Sequence, residues 1–299
     1  MRYRLRTVDV FTERALAGNQ LAVVLGADGI RAEQMQAIAK EMNISETTFV
    51  LPPDQPHAAA RVRIFTPGSE LPFAGHPTIG TAWVLLTEGL VPKDATEFSL
   101  QEGVGPIPVR VDRSSGRLRL WMTHPSVAFG EVIDDRAGVI TALGLREADL
   151  LRDVPVQIAS TGVPFLFVPL SDGRAVDSAI ASAERLETFF GTREPYPVFL
   201  FAALGGNRLY SRMFAPHVLG ITEDPATGSA SGPLGAFAVR YGLVPRSAEV
   251  AIVSEQGTKM GRQSFVHIRI TYPNGDNPSR IEVGGAVVPV LTGEISVEP

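Results

Sequence analysis

The chain has no cysteine among its 299 residues. That single absence excludes disulfides, thiolate nucleophiles and Cys-ligated zinc. No run of Lys or Arg accompanies the net charge of −5, so the sequence carries no electrostatic footprint for nucleic acid. No apolar stretch approaches the ~20 residues that a membrane span needs. The N-terminal MRYRLRTVDVF is charged and alternating, without the apolar core of a secretory signal. No GxGxxG follows a strand and no GxxxxGK[ST] occurs, which argues against a nucleotide cofactor. HExxH, DxDxDG and paired-His motifs are missing, and His57, His124, His217 and His267 are scattered without ligand spacing, so no metal is expected. With 44% hydrophobic and 20% charged residues, what remains is an ordinary folded chain, expected to be cytoplasmic and to bind a small molecule without a cofactor.

What is present is an internal repeat. GHPTIGTA at 75–82 and EDPATGSA at 223–230 share Pro, two residues, Gly, a small hydroxyl residue and Ala when Pro77 is laid on Pro225. Each follows an Arg-x-Phe-x-Pro segment of strand character: Arg63, Phe65 and Pro67, then Arg212, Phe214 and Pro216. The repeat distance is far too long for a solenoid and predicts two similar domains. We place them at 1–118 and 119–285, with the boundary in the stretch 113–127 and with 286–299 as a candidate to return to the first. Pro favours the first position of a helix, which sets His76 and Asp224 near N-caps. Two helix starts converging on one cleft would bind a carboxylate, because unpaired N–H groups and the helix dipole both favour negative charge.

The remaining patterns predict mixed α and β structure. Residues 2–11 and 19–25 read as neighbouring strands. The helix 31–42 has Met35, Ile38, Ala39 and Met42 on one face. The helix starting near Pro77 is apolar on nearly every side through Ile79, Ala82, Trp83, Val84, Leu85 and Leu86, which predicts a curved sheet or barrel wrapped around a central helix. In the second half, a single amphipathic helix over 174–190 is expected to bury Val176, Ile180, Ala183, Leu186 and Phe190.

Three residues carry the chemical reading. Glu46, in NISETTFVLP, is either a solvent-facing strand carboxylate or a partly buried acid/base with a raised pKa. Asp224 before Pro is a good N-cap, a role compatible with a place in a site. His76 is a poorer cap, and its setting between Gly75 and Pro77 has less structural justification. GSASG at 228–232 places its serines in the second and fourth positions, which does not match a nucleophile elbow.

At this point the chain resembles the phenazine-biosynthesis PhzF-like isomerase family. The resemblance rests on VDVFTERALAGNQLAVV at 8–24, NISETTFVL at 43–51, FTPGSELPFAGHPTIGTAWVL at 65–85, EDPATGSASGPLGAF at 223–237 and EQGTKMGRQS at 255–264. Gln20 departs from it, standing where Pro is common after Gly-Asn. The resemblance implies a diaminopimelate epimerase-like fold of two pseudo-symmetric α/β domains. Racemases of that fold use one cysteine from each half, a chemistry this chain lacks. The implied activity is a cofactor-independent proton shift like that of trans-2,3-dihydro-3-hydroxyanthranilate isomerase. Glu46 would act as acid/base with His76 and Asp224 as its catalytic partners, and Gly75, Gly228 and Ser229 would bind a small carboxylate substrate. A homodimer is implied as well. A non-catalytic binding protein and a carboxylate-based epimerase or racemase are the alternatives.

Overall fold

A computed structural model describes the chain except for residues 115, 181, 193–194, 216–221, 274–276 and 299, and except for the side chain of Ala183. Pro216 and His217 lie outside the described residues. The chain divides into two compact units, 1–123 with 284–299, and 124–283. In order along the first part of the chain come β1 (Arg2–Val10), β2 (Asn19–Leu25), α1 (Ala32–Met42), β3 (Glu46–Leu51), β4 (Ala58–Phe65), β5 (Glu70–Leu71), α2 (Gly75–Thr87), β6 (Glu97–Glu102), β7 (Gly105–Asp112) and β8 (Arg119–His124). Then follow β9 (Ala128–Val132), α3 (Arg136–Leu143), β10 (Gln157–Ser160), β11 (Pro164–Pro169), α4 (Gly173–Ser178), α5 (Ala183–Phe190), β12 (Val198–Gly205) and β13 (Arg208–Phe214). The last elements are β14 (Glu223–Asp224), α6 (Gly228–Arg240), β15 (Glu249–Gln256), β16 (Ser264–Thr271), β17 (Arg280–Gly285) and β18 (Val287–Ser296).

The fold is mixed α and β, and the pairing pattern is the same in both units. In the first, β2 and β3 are parallel, β3–β4 and β4–β5 antiparallel, β4–β6 parallel and β6–β7 antiparallel. In the second, β11–β12, β12–β13, β13–β14, β13–β15 and β15–β16 repeat those senses one for one. The parallel pairs need crossovers, which α1 and α2 provide in the first unit and α4 with α5, then α6, in the second. β2 reads NQLAVVL and is buried from Leu21 to Leu25 because both of its faces are covered. Ala22 and Val24 pack with Met35 and Ile38 of α1, while Leu21 points at α2.

The enclosed helix expected from the sequence is α2, buried at all but two of its thirteen positions and packed on β1, β2, β3 and β18. Gly80 is where it meets the sheet most closely. A Cβ there would sit 2.5 Å from Leu21 Cδ2 and 2.8 Å from Val10 Cγ2. Val10 and Leu21 are fully buried and the valine is stiff at χ1, so Gly80→Ala is predicted to destabilise by about 1–3 kcal/mol through overpacking. Urea denaturation reads this, and an unchanged midpoint would contradict the packing. In the second unit α6 takes the same place, with Phe237 against Phe167 and Phe201 at centroid distances of 5.7 and 5.6 Å.

Two sequence expectations are corrected. The helix over 174–190 is two helices, and Ile180 is 55% exposed instead of buried. The break has identifiable causes. Arg212 Nη1 donates to the carbonyls of Val176, Asp177 and Ala179 and so satisfies the end of α4. The Ser182 side chain then accepts from Arg185 N and caps α5.

The second correction concerns the register of the repeat. Phe65 pairs with Glu70 as Phe214 pairs with Glu223, and Arg63 grips Glu70 as Arg212 grips Glu223, each through two N–H···O bonds of 2.7–2.9 Å. Both entry loops then lead into a thirteen-residue helix, at Gly75 and at Gly228. The equivalent segments are therefore Glu70-Leu71-Pro72-Phe73-Ala74-Gly75-His76 and Glu223-Asp224-Pro225-Ala226-Thr227-Gly228-Ser229. Pro225 corresponds to Pro72, not to Pro77. The first half contains Pro-x-x-Gly twice, at 72–75 and 77–80, and the second occurrence gave the longer run of identities.

Candidate functional site

The corrected register changes what the helix starts present. Ala74 and Thr227 are the N-caps, so His76 is the second residue of α2 and Asp224 lies in β14, before the helix. Gly75 and Gly228 occupy the same position in the two halves, each the first residue of its helix. The first N–H groups there lack intrahelical acceptors and point outward, and Pro77 contributes none. Gly80 and Thr81 lie a turn further on and are buried in the packing against the sheet.

In the first unit three segments meet. Asn19 and Gln20 begin β2 and Glu46 begins β3, and these parallel strands are in register at Leu21 opposite Glu46. Their first residues therefore share one end of the sheet, where α2 delivers His76. The Asn19 side-chain amide donates to His76 Nδ1 at 3.1 Å. That acceptor role puts the imidazole proton on Nε2. Nε2 is 3.2 Å from the Gln20 carbonyl oxygen and 3.2 Å from Glu46 Oε2. Burial depresses the His76 pKa to about 3, with the Gln20 carbonyl pulling weakly the other way. The ring is thus a neutral donor, and its side chain is 5% exposed against 12% for Glu46. Glu46 is not the solvent-facing strand carboxylate: its side chain is mostly buried and lies beside the oriented imidazole.

In the second unit Asp224 is buried, and its Oδ2 accepts from Thr227 Oγ1 at 2.6 Å. Gln256, at the end of β15, locks this loop. Its Oε1 accepts from Thr227 N at 3.0 Å, and its Nε2 donates to the Asp224 carbonyl oxygen at 2.8 Å and to Thr227 Oγ1 at 2.9 Å. Ser229, half-buried, is the second residue of α6 and the counterpart of His76. Glu46, Gly75 and His76 thus come together in one unit, and Asp224, Gly228 and Ser229 in the other. Sequence reading missed Asn19, Thr227 and Gln256, whose roles depend on pairing between distant strands. It also dismissed His124, which is buried with Nδ1 2.7 Å from Thr161 Oγ1 and a pKa lowered to about 4 by burial. His124 faces the second turn of α6 at Gly232.

Among the described residues no group of three or more His, Asp or Glu is placed to hold a metal ion, and no helix is long and apolar enough to cross a membrane.

Comparison with known proteins places these residues in a wider group. The family model described as phenazine biosynthesis-like protein matches residues 8–293. The trans-2,3-dihydro-3-hydroxyanthranilate isomerase of Pseudomonas aeruginosa is 35% identical over 95% of each chain. An uncharacterised isomerase of Escherichia coli K12 is 31% identical over the whole of both. Among solved structures, a PhzF-family phenazine biosynthesis protein of Bacillus anthracis superposes with a TM-score of 0.90 at 25% identity, covering 99% of this chain and 100% of that one. A hydroxyproline epimerase of Agrobacterium vitis shares the fold with a TM-score of 0.66 at 12% identity, covering 98% and 92%.

Proposed function

Since the chain belongs to the phenazine biosynthesis-like PhzC–PhzF family, we propose that it is an isomerase that shifts a proton within a small cyclic carboxylate, with Glu46 as the acid/base. The observation that carries this reading is the contact between Glu46 Oε2 and Nε2–H of a neutral, Asn19-oriented His76. The ionised carboxylate is the form needed to remove a proton from carbon, and a neutral imidazole beside it sets no second charge against that role. Glu46 would take the proton from one substrate carbon as the C–H electron pair moves into the ring. The protonated Glu46 then returns it to another carbon, so no oxidant or reductant is needed. His76 Nε2–H, which points at the Gln20 carbonyl oxygen in the free protein, is proposed to turn to a substrate oxygen. Gly75 offers a backbone N–H of an open helix start to the carboxylate. Asp224, Gly228 and Ser229 are the second unit's proposed contribution to holding the substrate's polar groups.

The racemase alternative fares worse on one observation. Thr47 lies opposite Phe65 and Val198 lies opposite Phe214, so the counterpart of Glu46 is Pro197. The repeat places no ionisable side chain at the position equivalent to Glu46, so a symmetric pair of glutamate bases is not available for two-base inversion.

The test is proton NMR of trans-2,3-dihydro-3-hydroxyanthranilate with the protein in D2O. Conversion to a constitutional isomer is expected, with deuterium at the newly protonated carbon to the extent that the Glu46 carboxyl exchanges with solvent before it returns the proton. An unchanged spectrum at stoichiometric protein would refute this substrate. Inversion at a single centre without a change of constitution would favour the racemase.

A further inference from the structure

We propose that Glu102, in its neutral carboxylic acid form, is a positioning residue that fixes the start of α2, and with it His76, through a hydroxyl relay at Thr78. The argument begins with a count of protons. Thr78 Oγ1 lies 2.7 Å from the Ala74 carbonyl oxygen and 2.6 Å from Glu102 Oε1. A hydroxyl has one proton to donate, and both of these partners are acceptors if Glu102 is ionised. The other half of the repeat shows where the hydroxyl's own proton goes. Ser231, the counterpart of Thr78, donates its Oγ proton to the Thr227 carbonyl at 2.9 Å. With Thr78 donating to Ala74 in the same way, the short contact to Glu102 needs a second proton, and the carboxyl is its only source. The relay therefore runs from the Glu102 O–H to Thr78 Oγ1, and from the Thr78 O–H to the carbonyl of the α2 N-cap.

The repeat supports the neutral form independently. Arg61 pairs with Gln101 as Tyr210 pairs with Glu255, so Glu102 ends β6 where Gln256 ends β15. Gln256 is a permanently neutral side chain that ties down the entry to α6. The following glycines match as well. A Cβ at Gly103 would lie 2.9 Å from the Pro72 backbone, and one at Gly257 2.5 Å from the Pro225 carbonyl oxygen. Each half thus presses a strand end against its loop proline and reaches into the helix start with the preceding side chain.

Glu102 is 5% exposed, and burial raises its pKa to about 8. The charged groups around it do not reverse this. Arg61 is paired with Asp54 at 2.6 Å and Arg63 with Glu70 at 2.7 Å along the adjoining cavity, and the titratable group of the α2 start, His76, is neutral. Ionisation removes the relay's first donor and forces Thr78 to choose between Glu102 and the N-cap carbonyl.

Linkage gives the sign of the effect. A carboxyl whose folded pKa lies above its unfolded one stabilises fully below the unfolded value, and that stability is lost as pH rises to the folded value. Glu102→Gln keeps an N–H donor toward Thr78 at every pH. Its stability is expected to match the wild type near pH 4.5 and to gain on it by roughly tenfold in the unfolding constant per pH unit up to about 8, levelling beyond. Thermal denaturation across pH 4.5–9.5 reads this difference. The second readout is the imidazole ¹⁵N resonances of His76. They are expected to move with a midpoint near pH 8 in the wild type and to stay fixed in Glu102→Gln; a purely structural Glu102 would leave them equal in both.

A pH-independent stability difference, or His76 resonances that do not respond to the substitution, would overturn the inference, as would a Glu102→Gln chain that fails to fold. Wild-type protein labelled with ¹³C at the glutamate carboxyls provides a check without substitution: one carboxyl still protonated at pH 7 supports the relay, and none excludes it. The importance of His76 rests on the function proposed above, but neither readout uses a substrate. Failure to turn over the anthranilate is therefore distinguishable from failure of the relay.

Discussion

Glu46→Gln is expected to reduce kcat by about 10²- to 10⁴-fold, the range typical of a lost general acid/base, with little change in binding. The amide is isosteric with the carboxylate and keeps an oxygen that can accept from His76 Nε2–H, so the polar contact at the start of β3 survives. What it cannot do is accept a proton from carbon. Binding of a non-reacting substrate analogue, followed by calorimetry, should be preserved in the variant. If kcat is unchanged, Glu46 is not the base; if wild-type and variant proteins both bind without turnover, the site is a receptor and not an enzyme. Asn19→Ala makes the complementary change, because the imidazole then loses the donor that fixes its tautomer.

Arg212→Ala is expected to cost about 3–5 kcal/mol of stability, whereas Arg63→Ala should cost about 1 kcal/mol or less. The two arginines hold equivalent positions, stack over the phenylalanine two residues on at 4.7 and 5.2 Å, and grip equivalent glutamates. They differ in burial and in further duties. The Arg212 side chain is 8% exposed and also satisfies three carbonyls at the end of α4, while Arg63 is 27% exposed beside a Glu70 at 42%. Removing Arg212 strands the Glu223 carboxylate and three backbone acceptors in a dry environment. Removing Arg63 leaves Glu70 in water. Denaturant unfolding of the two variants side by side gives the comparison, and equal losses would show that burial does not set the strength of these clamps.

The sequence carried the repeat clearly but not its register. Arg-x-Phe marked the two equivalent strands because the cation–π stack and the ion pair both need residues at fixed alternation. The helix starts were misaligned because identity over Pro-x-x-Gly-Thr-Ala outscored the glutamate and proline that hold the loop. Only pairing of Glu70 and Glu223 with their strands decides between the two registers. The enclosure of α2 was legible because its apolar residues leave no solvent face. The division of 174–190 was not, since it depends on a guanidinium contributed from β13. Glu46 and His76 were singled out from separate motifs and lie in contact. Asn19, which orients the pair, stood in the Gly-Asn-Gln stretch without a visible task. Glu102 was overlooked for a plain reason. A buried carboxyl at the end of a strand looks in sequence like any solvated one, and nothing local announces the Thr78 hydroxyl that meets it.

The strand β18 has a consequence for how the chain matures on the ribosome. It pairs with β1 from Arg2 opposite Ser296 to Val10 opposite Val287, and β2 covers the other side of β1. Residues 124–283 form a unit contiguous in sequence, able to close as soon as they emerge. The first unit is made earlier yet finished later, because one long side of β1 has no partner until the whole of the second unit has been synthesised. An unpaired strand edge held open through that interval is a template for pairing with other nascent chains. Of the arginines along β1, Arg4 and Arg6 are held by Glu88 within the first unit, whereas Arg2 meets Glu294 only once β18 has been made.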